Sequence, residues 1–333
     1  MNPEKPDALQ FRQHLTKLKR EFRLDEKRAW WLNYLFHFAH ITNAVNILRQ
    51  GELKCRNLVQ SSYADFLDTA SPDVIDKTEN RWKNYVRFYF RPRTPTLFNS
   101  EGFRPANRIE KGAHCPVPIY FLFDFATVIC RQDASFSNGN LARTTKEVFS
   151  KASDFAQLPF KLIYHDEWFS KEERDKITFH RHAEVMVPQR IDLSNLQEIV
   201  CRSTAEYETL CYLLPDDIWR RWRDKISVPT QRQLFYNRWL YIEGVTLTQS
   251  EIVFHFHLPN DEKDRGTFNI RIDIEETITW RHYRVDLEKF RFTNKVLSIS
   301  LDTLSYSEDY TVRVFIDNNL AYANRFQASD IPF

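Results

Sequence analysis

The apolar positions change period several times along the chain, and each change marks an element. Leu9, Phe11, Leu15, Leu18 and Phe22 recur near the 3.6-residue period with lysines and arginines between them, which predicts an amphipathic helix over 8–34. Residues 35–41 alternate instead, with Leu35, His37, Ala39 and Ile41 on one side and Phe36, Phe38 and His40 on the other, as in a strand. A helix over 43–50 follows, with Thr42 as its N-cap and Gly51 as its C′ stop. Residues 55–80 are polar and turn-rich. The run Tyr85-Val86-Arg87-Phe88-Tyr89-Phe90 is aromatic and β-branched and reads as a largely buried strand, which Pro92 and Pro95 end by removing backbone donors. A loop over 99–118 precedes a buried strand over 118–129, and the turn Asn138-Gly139 precedes a helix over 140–155. A polar segment, 170–181, leads into a short strand over 182–188. Ser203-Thr204-Ala205-Glu206 is a capping box opening a helix through Leu213, with another helix over 216–225.

Beyond 231–239 the helical period disappears. Ile252-Phe254-Phe256-Leu258, Phe268-Ile270-Ile272-Ile274, Val296-Leu297-Ile299-Leu301 and Val312-Val314-Ile316 are separated by turn residues such as Pro259-Asn260-Asp261 and Asp317-Asn318-Asn319, the pattern of an antiparallel β-sandwich. The predicted fold class is α+β: a helical extension over 1–31, a mixed α/β domain over 32–230, and an all-β sandwich over 236–333 better suited to binding a partner than to catalysis.

Composition narrows the function. An apolar content of 42% gives a 333-residue chain ample core, and a net charge of +2 means that any nucleic-acid surface is a local patch. Cys55, Cys115, Cys130, Cys201 and Cys211 are odd in number and lack C-x-x-C spacing, which speaks against a disulfide framework or zinc module and for a reducing, cytoplasmic setting. The charged start has no apolar signal core, and residues 119–129 are too short to span a bilayer, so no membrane insertion is expected. With only 6 glycines, neither a P-loop nor a dinucleotide-binding glycine fingerprint is present.

Two stretches carry candidate chemistry. Arg81, Lys83, Arg87, Arg91 and Arg93 interleave with aromatics and no acid, a surface suited to phosphates and bases, or else a basic edge strand over ordinary core aromatics. Glu184 lies on the apolar strand His182-Ala183-Glu184-Val185-Met186-Val187, where a carboxylate is either solvated or held in a cleft by partners. Were His180, His182 and Glu184 on one strand face, they would also suit a metal-dependent hydrolase or nuclease, although no fourth ligand suggests itself. A non-catalytic nucleic-acid-binding module is the third reading, and Glu184 is the residue for which it has no use.

With Leu35-Phe36-His37-Phe38-Ala39-His40-Ile41-Thr42-Asn43 upstream, these stretches resemble the DarT family of nucleic-acid ADP-ribosyltransferases. The family has a Tyr-His-Phe-Thr-His-like leading strand, a Tyr-Val-Pro-Phe-Tyr-Phe-x-Pro-Arg-Ser-Pro-Met-Leu-like centre and an Ala-Glu-containing strand, in that order. Tyr85, Val86, Phe88, Tyr89, Phe90, Pro92, Arg93, Pro95 and Leu97 match the centre, and Arg87 and Thr96 depart from it. The resemblance spans about 32–217. It implies NAD as ADP-ribose donor with no metal, and a base of single-stranded DNA or RNA as acceptor, DNA favoured. It also implies a toxin, often antiphage, held by an antitoxin protein. Glu184 would be the catalytic carboxylate, countering the positive charge that develops on the ribose or activating the acceptor. Arg93 would hold the NAD phosphates through its planar fork. The implied NAD contacts include His37, His40, Asn43, Tyr85 and Tyr89, although on the residues alone His37 and the tyrosines read equally as core. Arg87, Arg91, Arg174, Lys176, Arg181 and His182 would face the nucleic acid, and 55–80 would fold over the dinucleotide.

Overall fold

The computed structural model describes residues 3–22, 24–62, 67–69, 71–229 and 232–328. Parts of the polar segment (63–66 and 70), Gln231 in the compositional change and the end of the chain (329–333) lie outside the described residues. Among the described residues ten strands belong to the first part: β1 (Tyr34–His40), β2 (Glu52–Lys54), β3 (Tyr85–Tyr89), β4 (Pro118–Asp124), β5 (Ser135–Ser137), β6 (Val148–Phe149), β7 (Glu184–Pro188), β8 (Arg190–Asp192), β9 (Leu196–Val200) and β10 (Ile226–Ser227). Eight of them form one sheet in the order β10-β9-β4-β1-β3-β7-β5-β6, and β2 pairs with β8 beside it. Neighbours run antiparallel except β9 and β10. β4 is buried along Pro118–Phe123 because both of its faces are covered; Phe88 packs on Phe123 with ring centroids 5.0 Å apart and Phe90 on Phe125 at 5.6 Å. The decisive pairing is β3 against β7, which sets Tyr89 opposite Glu184, Arg87 opposite Met186 and Tyr85 opposite Pro188.

Several predicted boundaries move, each for a local reason. The first helix spans Ala8–Glu21 rather than 8–34: Phe22 turns extended, Arg28 bonds back to Asp25, and a 3-10 turn, Ala29–Asn33, leads into β1. The second helix, Ile41–Gln50, is capped by His40, not Thr42; His40 Nδ1 accepts from the Thr42 amide, and Gly51 closes the helix at φ 71°. The apolar stretch 118–129 is a strand only to Asp124, whose carboxylate caps the helix Phe125–Ile129 by accepting from the Thr127 amide. The helix predicted over 140–155 shrinks to Ala152–Phe155. Asn140 accepts from the Ala142 amide, Asn138 accepts from the Glu147 amide, and Phe149 pairs with Phe136 at the sheet edge, so side-chain bonding and edge pairing displace the helix. Residues 170–181 are a turn followed by a helix, Arg174–His180, so His180 and His182 lie off the glutamate strand.

The C-terminal part contains β11 (Tyr241–Leu247), β12 (Glu251–His257), β13 (Phe268–Glu276), β14 (His282–Phe290), β15 (Val296–Ser300), β16 (Asp309–Ile316) and β17 (Asn319–Gln327). They form two antiparallel sheets, β11-β12-β15 and β14-β13-β16-β17. Asp317 and Asn318, both at positive φ, make the tight turn between β16 and β17 that the right-handed strand twist favours. Alternate residues such as Phe254, Phe256, Ile272 and Val314 are buried. The junction with the first part is extensive. Ala323 donates its amide to Thr209 Oγ1 at 3.1 Å, the Tyr322 hydroxyl donates to Glu208 at 2.8 Å, and the Glu101 carboxylate accepts from the amides of Tyr236 and Asn237.

Candidate active site

Glu184 opens β7 directly after the turn that ends the helix Arg174–His180. Its amide donates to Ser137 Oγ at 3.2 Å, and that hydroxyl donates to the Gly139 carbonyl at 2.8 Å. Gly139 leaves room for the Phe179 ring, which a Cβ at that position would meet at 2.4 Å. The glutamate is thereby fixed at a strand end, with the residue 4% exposed. Its Oε2 is buried without a hydrogen-bond partner, and the Arg87 guanidinium stands 3.8 Å away. Burial pushes the carboxyl up to about 7, against the pull of Arg87 and of the Tyr89 hydroxyl. At neutral pH it is therefore divided between an acid and a base form.

Around it lies a cleft of about 490 Å³ lined by His37, Phe38, Asn43, Trp82, Tyr85, Tyr89, His182 and Glu184, with the cations Lys54, Arg56, Lys83 and Arg87. That volume falls in the range of small-molecule sites. Phe38 stacks on Tyr89 with ring centroids 6.3 Å apart, and the Tyr89 hydroxyl donates to Thr96 Oγ1 at 3.2 Å. His37 Nδ1 bonds the Arg87 carbonyl at 2.9 Å, and His182 Nδ1 bonds the Thr178 carbonyl at 2.7 Å. A carbonyl only accepts, so both Nδ1 atoms carry hydrogen, and burial keeps the rings neutral by lowering their pKa, to about 4 for His182. Each ring then retains Nε2 as an acceptor. The Asn43 amide donates to the Leu67 carbonyl and accepts from the Leu67 amide, holding the polar segment over the cleft.

The fold thus brings together seven of the residues singled out in the sequence: Glu184, His37, Asn43, Tyr85, Tyr89, Arg87 and His182. His40 is instead a buried helix cap outside the cleft lining, with its pKa lowered to about 3 by burial and then by His114. Arg91 and Arg93 also lie outside the lining and converge on Asp166, a partner that no motif marks in the sequence. Arg181 neighbours them, and Arg174 and Lys176 are exposed on their helix. The metal-site arrangement is not formed: His180 ends a helix with its Nδ1 on the Asn138 carbonyl, and among the described residues no three His, Cys, Asp or Glu side chains converge. Trp82, Phe38 and the cations Lys54 and Arg56 were not anticipated, because a cleft wall built from distant segments has no periodic signature. Among the described residues no helix is long and apolar enough to cross a membrane.

A buried carboxylate whose Oε2 lacks a hydrogen-bond partner and faces Arg87, in a cleft of aromatics and neutral histidines, is the arrangement of an enzyme rather than of a nucleic-acid groove, which gains nothing from a negative charge. The model of one family, described as the ssDNA thymidine ADP-ribosyltransferase DarT, matches residues 36–236, and the chain belongs to that family. It is accordingly an ADP-ribosyltransferase that takes NAD as donor and single-stranded DNA as acceptor. Solved structures similar to it include Thermus sp. 2.9 DarT with ADP-ribosylated ssDNA, at 17% identity and TM-score 0.48, covering 61% of this chain and 96% of that one. The same protein with NAD+ matches at 17% identity and TM-score 0.47, covering 64% and 100%. Thermosipho africanus DarTG with ADP-ribose matches at 15% identity and TM-score 0.46, covering 65% and 53%. No curated protein matches the chain.

Proposed function

We propose that the cleft beside Glu184 holds NAD, and that the ADP-ribose is passed to thymidine in a single DNA strand. The observation that carries this reading is the Glu184 carboxylate, buried, lacking a hydrogen-bond partner at Oε2, and facing a cleft with stacking walls. In its ionised form it opposes the positive charge that develops on the ribose as the nicotinamide bond breaks, or it takes the acceptor's proton. The Phe38–Tyr89 pair and the Trp82–Tyr85 pair offer faces to flat rings, and the Nε2 atoms of His37 and His182 accept from ribose or amide donors. Lys83 lines the cleft as a cation for the pyrophosphate; Lys54 and Arg56 line it too, paired there with Glu52 at 3.2 Å and with Asp68. A base must leave its stack to reach the ribose carbon, which favours a single strand.

We further propose that the chain acts in the cytoplasm as a toxin, that a separate antitoxin protein restrains it, and that its two C-terminal sheets pack as a sandwich that serves partner binding. The test of the reaction is incubation with labelled NAD and single-stranded DNA or RNA oligonucleotides differing in one base, followed by separation of the polymer. Label on thymidine-containing DNA, lost in Glu184→Gln, supports the reading; label on no polymer, or equal labelling by Glu184→Gln, overturns it.

A further inference from the structure

We propose that Arg87 acts on the acceptor: its guanidinium donates to a keto oxygen beside the reacting ring nitrogen of thymine and holds the negative charge that gathers there as Glu184 takes that nitrogen's proton. This rests on the transfer to thymidine proposed above and adds the residue that activates the base. Tyr85, Arg87 and Tyr89 alternate with the buried Val86 and Phe88, so the three share the face of β3 that lines the cleft. The register sets Tyr89 opposite Glu184 and Arg87 opposite Met186, the next pair on that face. The backbone there is pinned, because His37 Nδ1 donates to the Arg87 carbonyl at 2.9 Å. A guanidinium presented from a paired strand is held to a narrow range of positions, as a group acting on reacting atoms must be.

Most donors of this side chain are uncommitted. Nη2 donates to the Trp82 carbonyl at 3.3 Å, and Nη1 stands 3.8 Å from Glu184 Oε2, outside hydrogen-bond reach. Arg87 meets no other carboxylate among the described residues, and its side chain is 29% exposed. A fixed cation so close to the catalytic carboxylate is a disadvantage to the donor half of the reaction, since it opposes the positive charge that develops on the ribose. It is an advantage where an anion forms beside the same carboxylate. The pyrophosphate does not require it, because Lys83 lines the cleft without a carboxylate partner among the described residues.

Thymine in a DNA strand supplies that anion. With one ring nitrogen carrying the deoxyribose, a single N–H is left, flanked by two carbonyls. Its proton passes to Glu184, the electron pair left on the nitrogen forms the bond to the ribose carbon, and the bond from that carbon to nicotinamide breaks with its pair going to the pyridine nitrogen. As the proton leaves, negative charge spreads onto the flanking oxygens, where a planar fork of N–H donors stabilises it as in an oxyanion hole. Burial leaves Glu184 able to take a proton near neutrality, and the thymine N–H is the weaker acid, so the transfer gains from a cation that favours the deprotonated base. Arg87 is also one of the two positions at which the chain departs from the family's central motif, so this contact belongs to the present chain.

The experiment compares Arg87→Met with wild type in two assays with labelled NAD, at pH 9, above the titration of Glu184. Transfer to a thymidine-containing oligonucleotide is expected to fall about a hundredfold in kcat, with the KM for NAD little moved. Hydrolysis of NAD without DNA, in which water is the acceptor and no base anion forms, is expected to rise about threefold as a cation leaves the surroundings of the ribose. Oligonucleotides in which sulfur, a weak hydrogen-bond acceptor, replaces either keto oxygen of the thymine complete a double-substitution cycle. At one of the two positions the ratio of oxygen to sulfur rates should be about tenfold larger for wild type than for Arg87→Met. Equal ratios at both positions would overturn the contact, and so would a loss of transfer matched by an equal loss of hydrolysis, the result of a merely structural role. A raised KM for NAD with kcat kept would assign Arg87 to the donor's phosphates and overturn it as well. No transfer by the wild type would overturn the proposal together with the reaction, an outcome told apart by the absence of label on any polymer. Should Arg87→Met prove unstable, Arg87→Lys keeps the charge and loses the fork, and the same sulfur ratios decide.

Discussion

Glu184→Gln is expected to make the protein more stable as it makes it inactive, and by an amount that depends on pH. Burial raises the carboxyl from the ordinary 4.5 to about 7 in the folded protein. The folded state therefore binds the proton more tightly than the unfolded state. Below the unfolded pKa both states are protonated and there is no penalty; between 4.5 and about 7 stability falls as pH rises, and above that range the full penalty applies. The shift corresponds to about 3 kcal/mol at pH 8 and to about 1 kcal/mol at pH 5, from ~1.4 kcal/mol per pKa unit. Glutamine keeps the shape and removes the titration. Any fixed gain or loss from its amide is the same at both pH values, so the informative quantity is the difference. Urea unfolding of wild type and variant at pH 5 and pH 8 should show the variant's advantage growing by about 2 kcal/mol. Transfer by the variant should fall by two to three orders of magnitude, as loss of a transition-state contact of about 3–4 kcal/mol implies. An advantage that does not change with pH would refute the burial argument, and wild-type-like transfer would refute the catalytic role.

The same titration predicts that wild-type transfer rises with pH to a plateau above about 7; a rate flat from pH 5 to 8 would contradict it. Arg87 holds Glu184 toward its charged form, so Arg87→Met should move that inflection to higher pH, and an unmoved inflection in a folded variant would remove Arg87 from the site's electrostatics. A chelator should leave transfer unchanged; inhibition reversed by zinc or iron would return the hydrolase reading to consideration. Truncation after Leu240 should preserve nicotinamide release, since every cleft residue precedes Val185, but lower the Tm by several degrees because the Glu208 and Thr209 contacts with Tyr322 and Ala323 are lost. An unaltered Tm would show that the junction contributes nothing to stability.

What can be read along the chain is what short-range physics determines. The alternation in 252–258, 268–274 and 312–316 becomes β12, β13 and β16 because a half-buried strand needs that period, and Asp317-Asn318 turns because both residues tolerate positive φ. Ser203 caps its helix, and Glu206 bonds the amide just before the cap, as the spacing demands. The matched motif residues were sufficient to indicate the reaction. The helix misread over 140–155 failed where short-range preference was nearly balanced and the sheet edge opposite Phe136 decided. The partition of the arginines was equally beyond reach: Arg87 and Arg93 lie six residues apart in one basic run, yet one faces Glu184 and the other Asp166. That division, and the burial that lifts Glu184 to about 7, depend on β3 meeting β7 and on the 165–169 loop folding back over the strand end. Charge and hydrogen-bonding capacity belong to a residue, but desolvation and partnership come from segments distant in the chain, and only the tertiary structure supplies them.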